Sequence, residues 1–224
     1  PSLQEQEKIV EKLNTIFQTV ESKKKKNIQI QLEIEQLLAS KMYKIFDDEL
    51  NKSTKIINFS DSVEVINKMS VKKKDYLTSG EYPIIAQEKS LINGYTDNNQ
   101  NIIESPSPLV GFGDHTKVVK FIDFPFIKGA DGLKVFKVIE EILPKYFYYW
   151  LKSLNLKDLG YARHSKLLKN YKINVPSLKQ QEKIVKKIDD LMFIKENIIV
   201  NYKNSNKHIE TLKKSILYKE FSYE

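Results

Sequence analysis

Side chains able to do chemistry are sparse in this chain: three histidines (His115, His164 and His208), one arginine (Arg163) and no cysteine among 224 residues. Without thiols there is no disulfide, no thiolate nucleophile and no cysteine-ligated zinc. The histidines stand apart, none paired with another ligand at helical spacing, so no metal site is read. "GFGD" at Gly111–Asp114 is too short for a dinucleotide fingerprint and lies beside a predicted strand rather than opening a helix. There is no Walker sequence, no Asn- or Asp-Pro-Pro-aromatic motif of an amino-methyltransferase, and no carboxylate spacing typical of a nuclease. No catalytic constellation emerges.

The chemistry that remains is recognition. A net charge of +8 favours a polyanionic partner, nucleic acid first and an anionic membrane surface second, against the plainer reading of a solvated lysine-rich surface. "GYARHSK" (Gly160–Lys166) gathers Tyr161, Arg163, His164 and Lys166 in one predicted loop. Arginine grips guanine with two parallel hydrogen bonds, lysine and histidine reach phosphates, and tyrosine does either or stacks. The competing reading is an ordinary charged loop, but the chain otherwise takes its positive charge from lysine. "GFGDHTKVVKF" offers Asp114, His115, Thr116 and Lys117 at a strand mouth, on a tight Gly turn. "QEKSLINGY" offers Gln87 and Lys89, and the run Lys72, Lys73, Lys74 suits attraction to a phosphate backbone.

These residues need elements to hold them, and the sequence announces two by repetition. Pro1 laid on Pro176 gives an ungapped match to Phe46 on Phe221: "PSLQEQEKIV" restarts as "PSLKQQEKIV", and Tyr43-Lys44 returns as Tyr218-Lys219. Each copy opens with a capping box, Ser2 with Glu5 and Ser177 with Gln180. Each then carries apolar residues at heptad spacing, with no Pro or Gly inside. The first copy places Ile9, Ile16, Lys23, Ile30 and Leu37 on one seam position and Leu13, Val20, Asn27, Ile34 and Lys41 on the other. The second places Ile184, Leu191, Ile198, Ser205 and Leu212, then Ile188, Lys195, Tyr202, Ile209 and Ile216. Two long antiparallel coiled-coil helices follow, each about 65 Å long. That pairing sets Lys23 and Asn27 against the region of Ile198 and Tyr202, polar positions against apolar ones.

Between the copies the pattern changes to short β-prone runs, Lys55–Phe59, Val63–Asn67, Tyr82–Ala86, Pro108–Gly111, Lys117–Asp123 and Leu133–Lys137, separated by turns. A short helix, "LPKYFYYWLKSL", follows, its aromatics read as core rather than as a stacking platform. The expected architecture is α+β: residues 1–46 a helix, 47–175 one mixed α/β domain with a twisted or barrel-like sheet, and 176–224 the repeated helix. No run of eighteen apolar residues occurs, so no membrane span is expected. The missing initiator methionine suggests a processed chain or a fragment of a longer one.

This organisation resembles the specificity subunit of type I restriction-modification systems, in which recognition domains alternate with helical regions. "PSLQEQEKIVEKLN" and "PSLKQQEKIVKKID" look like the helical-region signature. "YPIIAQEKSLINGYTD", "GFGDHTKVVKFIDFPFIKGADGLKV" and "YFYYWLKSLNLKDLGYARHSKLLKNYKINVPSL" look like consecutive stretches of a target recognition domain. With one such domain instead of two, the chain is similar to a C-terminal half or a natural half-subunit. The resemblance implies a cytoplasmic, non-catalytic DNA-recognition subunit that reads a half-site in double-stranded DNA and scaffolds modification and restriction subunits. S-adenosylmethionine, ATP and Mg are then expected on those partners and no cofactor on this chain. A homodimer through the long helices would present two identical domains to a palindromic interrupted site. The alternative is a coiled-coil adaptor whose inserted domain binds protein.

Overall fold

The computed structural model describes residues 2–50, 55–130, 132–160 and 162–221, the side chains of residues 49 and 50 aside. Two compact units partition the chain: residues 1–39 with 189–224, and residues 40–188.

The first unit is a pair of helices, the greater parts of α1 (Leu3–Leu50) and α5 (Leu178–Phe221). The cap of α1 forms as a reciprocal box: Ser2 N–H donates to Glu5 Oε2 at 2.7 Å, and Glu5 N–H reaches Ser2 Oγ. Ser2 N–H and then the Ser2 hydroxyl, both donating to it, hold the Glu5 carboxyl below its usual range. The helices run antiparallel, as ascending partners on one meet descending partners on the other: Lys12 with Glu220, Lys24 with Glu210, Asn27 with Asn206, Glu35 with Lys195.

Two details differ from the heptad reading. On α1 the sheltered face runs Ile9, Leu13, Ile16, Val20, Lys24, Asn27, Gln31, Ile34, Leu38, Met42 and Ile45, while Lys23, Leu37 and Lys41 are exposed. Lys24, Gln31 and Leu38 stand one residue past the heptad positions Lys23, Ile30 and Leu37, as the ~3.6-residue pitch of a straight helix favours, while Asn27, Ile30 and Ile34 keep their heptad places on the sheltered face. On α5 the same drift exposes Leu212 and brings Lys213 inward, its ammonium 4.7 Å from the Phe17 ring centroid. The register also differs: Asn27 faces Asn206, one turn beyond Tyr202, and polar groups meet polar groups. Lys24, alone of the Lys23–Lys26 run, is half-buried and pairs with Glu210 and Glu21.

The second unit holds the β structure. β1 (Ile56–Asn58) leads through the single turn α2 (Phe59–Ser62) into β2 (Val63–Val65). After a one-turn 3-10 helix at Lys73–Asp75 come β3 (Tyr82–Ile85), β4 (Gly94–Thr96), β5 (Ile102–Ile103), β6 (Leu109–Gly113), β7 (Val119–Ile122), β8 (Phe126–Lys128) and β9 (Leu133–Val138). Then follow α3 (Pro144–Ser153), the short α4 (Ser165–Leu168) and β10 (Lys172–Asn174). Strand order is β2-β9-β6-β7 in one sheet, β4-β3-β8-β5 in a second, and β1-β10 in a two-stranded third. Among the described residues no sheet closes on itself, so the α+β class holds and the barrel-like closure does not.

Ile85, Ile103, Leu109, Ile122, Phe126, Leu133 and Val135 form one apolar cluster. A second centre is aromatic. Phe59 meets Phe136 edge-on at 5.3 Å, with Phe147 and Trp150 of α3 on its other side. The aromatics of α3 are therefore largely core. Gln181, fully buried near the start of α5, accepts Leu143 N–H and donates to the Glu141 and Pro176 carbonyls, which satisfies the irregular turn ahead of α3.

Candidate nucleic-acid interface

Three of the quoted loops meet at the β6–β7 corner. β6 ends at Gly113, and the chain turns back with Gly113 N–H on Val118 O and Lys117 N–H on Gly113 O, both 2.8 Å. Lys117 takes φ of 57°, the left-handed conformation that closes this turn. Gln87, just past β3, seals the corner from outside: its Oε1 accepts His115 N–H at 3.1 Å and its carbonyl accepts the Thr116 hydroxyl at 2.6 Å. Only a glycine permits this approach at position 132, where φ is +106° and a Cβ would stand 2.7 Å from the Gln87 amide.

From the inside, Asp114 joins the corner to the arginine loop. Its backbone carbonyl accepts both the His164 N–H and the His164 Nδ1–H, each at 2.9 Å. Its carboxylate accepts Ser165 N–H at 2.8 Å. The other ring nitrogen of His164 meets Leu159 N–H at 3.1 Å and stands 3.5 Å from Asp158 Oδ1. His164 is therefore not a phosphate contact: it is completely buried and both of its nitrogens are occupied. Asp158 stands beside this ring, and its carboxyl is held below the usual range by the Gly160 N–H and then by Lys117, 3.6 Å away.

Arg163, one residue before the buried histidine, is exposed and lines a cleft of about 470 Å³ with Lys134, Lys166 and Lys169 on its walls. Phe59, Val63, Val65 and Phe136 supply apolar lining, and among the described residues no carboxylate lines it. Lys89 and Lys117 line a different groove, with Lys152 and Tyr148. The Lys72–Lys74 run spans the start of the 3-10 turn, and Lys73 lies 3.7 Å from Glu88, beside Gln87. Tyr161 lies outside the described residues.

Three lysines escape the sequence reading. Lys134 and Lys169 complete the cationic cleft, but one hides in a β-alternation and the other in a polar tail. Asp114, offered by the sequence as a candidate contact at the strand mouth, instead spends its carboxylate on Ser165 N–H and its carbonyl on His164. Lys120 is buried in β7 and donates to Ser90 O, Leu91 O and Asn93 Oδ1, holding the loop that carries Lys89. Desolvation lowers its pKa to about 8, partly opposed by Glu88. Among the described residues no group of three His, Asp or Glu is placed to hold a metal, and no helix is long and apolar enough to cross a membrane.

A mixed domain carrying basic grooves, in a chain that also holds a duplicated helical pair, defines a class that comparison with known proteins names. Residues 51–211 match the type I restriction modification DNA specificity domain, and the chain belongs to that family, which supplies specificity and has no catalytic activity itself. The specificity subunit of the Escherichia coli type I restriction enzyme EcoR124I/EcoR124II is 31% identical over 135 residues, 54% of this chain and 33% of that subunit. A structure described as the basis of complex assembly and conformational transition of the type I R-M system matches with a TM-score of 0.75, 17% identity, over 98% of this chain and 59% of the other. The HsdS subunit of Thermoanaerobacter tengcongensis matches with a TM-score of 0.57, 16% identity, over 99% of this chain and 59% of the other. At these identities the structural likeness is one of fold. This chain spans a third of the curated relative's length and under two thirds of these solved chains.

Proposed function

We propose that the domain at residues 47–175 reads one short half-site of double-stranded DNA. In this reading the helical segments 1–46 and 176–224 set its distance from a second half-site and dock the modification subunits, which bring S-adenosylmethionine. Restriction subunits bring ATP and Mg, all in the cytoplasm, and this chain carries neither cofactor nor reaction. Two copies joined through their helices would serve a palindromic interrupted site, and sedimentation of the assembled complex measures that.

The supporting observation is the cleft of Arg163, Lys134, Lys166 and Lys169. Four cations sharing one cleft, with no carboxylate in its lining among the described residues, repel one another until an anion arrives, and a phosphate backbone is that anion. Among them the planar Arg163 is suited to a base edge and the lysines to phosphates.

Methylome sequencing of a host carrying this chain and its modification subunit yields the motif. Against a duplex with that motif, Arg163→Ala should weaken binding roughly 10- to 100-fold while scrambled DNA loses far less. Log affinity should fall linearly with log salt. Binding indifferent to both sequence and salt would instead favour the protein-binding adaptor.

A further inference from the structure

Arg163 and His164 are neighbours with opposite surroundings, one exposed and one without any solvent contact. Filling the space beneath the loop would need only an apolar side chain, since a buried imidazole demands partners for two nitrogens. Here both are used: each meets a backbone group, and Nε2 also stands 3.5 Å from Asp158 Oδ1 of the same loop. Nδ1–H holds the carbonyl of Asp114, fifty residues away, and Nε2 holds the N–H of Leu159. The ring thus clips Leu159, and with it the stretch that leads into Arg163, to the β6–β7 corner.

The rest of the turn is fastened at the same points. Gly160, at φ +60°, donates to Asp158 Oδ1 at 2.9 Å, and Ala162 N–H donates to Leu159 O. His164 N–H and Ser165 N–H both end on Asp114. The backbone of Arg163 therefore lies between residues whose amides are bonded on either side, on a frame shared with Gln87, His115 and Thr116.

We infer that His164 is a positioning residue for base discrimination: it touches no DNA and fixes the turn from which Arg163 reads. This rests on the DNA-reading proposal above. A lysine on a phosphate acts as a point charge and tolerates displacement, whereas a guanidinium paired to a base edge needs its fork aligned. Loosening the clip therefore lowers sequence preference and leaves general attraction in place.

The test uses the chain assembled with its modification subunit and two duplexes, one carrying the methylated motif and one scrambled. His164→Asn retains a donor near the Nδ1 position, and His164→Gln retains an amide that reaches toward Leu159. Each should lower the ratio of specific to nonspecific affinity roughly tenfold. Nonspecific affinity and its salt slope should stay unchanged, with far-UV circular dichroism as in the parent. Asp158→Ala, which removes an exposed carboxylate from the same turn, should lower the ratio roughly threefold. Should the His164 variants fail to fold, Asp158→Ala decides alone. A folded variant with an unaltered ratio, or with equal loss on both duplexes, overturns the inference while the DNA-reading proposal stands. A parent complex with no preference between the duplexes overturns that proposal and this inference together.

Discussion

In the helical unit the buried polar contact joins two side chains, Asn27 Nδ2 donating to Asn206 Oδ1 at 2.7 Å. In the mixed unit the buried polar side chains turn to backbone: Gln181 to Leu143, Glu141 and Pro176; His164 and Asp114 to each other's loops; Lys120 to Ser90 and Leu91. The cause is local geometry. A helix bonds its own amides and carbonyls, so a polar side chain in its seam finds only another side chain. Short strands joined by long loops leave backbone groups over, and each needs a partner from elsewhere. Deleting a polar side chain therefore strands a buried backbone group in one unit and another side chain in the other.

The sharpest test of that contrast is Gln181→Ala, which strips three hydrogen bonds and leaves Leu143 N–H and the Glu141 carbonyl unpaired. Chemical denaturation followed by tryptophan fluorescence of Trp150 should show a loss of about 2–3 kcal/mol. A loss below about 0.5 kcal/mol would mean that water replaces the glutamine and the contrast fails.

Lys120 gives an intermediate effect with a sign set by pH. Its folded pKa of about 8 lies below the ordinary lysine value of 10.5. Between these pH values the unfolded chain binds more protons at this position than the folded one, so this residue's contribution to stability rises with pH across that window. The parent should gain on the order of 1–2 kcal/mol from pH 8 to pH 10 relative to Lys120→Met measured at the same pH values. Parallel pH profiles for the two proteins would show that Lys120 is solvated in solution.

Least affected should be Asn27→Ala. Asn206 is only half-buried and can turn to water, so a loss of about 1 kcal/mol is expected by urea unfolding monitored at 222 nm. A loss as large as that of Gln181→Ala would erase the distinction between the two units.

The same contrast explains what could be read from the sequence. The helices were legible because the repeat states their pattern twice, but their register was not. Choosing between Lys23 and Lys24 requires the true pitch, and both are lysines. β4, β5, β8 and β10 went unread because they are two or three residues long and exist through distant pairing, as Ile102-Ile103 does with Ile127 and Phe126. The loops at Gln87, His115–Lys117 and Arg163 stood out by residue type. Their convergence did not, because it depends on a contact between residues 114 and 164 that no local pattern announces. Residue type also hid the division of labour within "ARHS", where the exposed arginine and the buried histidine are adjacent and equally polar.

The sheltered stripe of α1 has a bearing on how such helices change length. Because it follows the pitch of an ordinary helix, an inserted segment preserves the contact face when it completes whole turns. Eleven residues, about three turns, would add about 16 Å and rotate the face by only about 20°. A single added residue would rotate it by about 100° and expose every seam side chain beyond it. Matched insertions of about two or three whole turns, seven or eleven residues in both helices, are therefore neutral units of drift for this pair, whereas unmatched single-residue changes are what selection should remove.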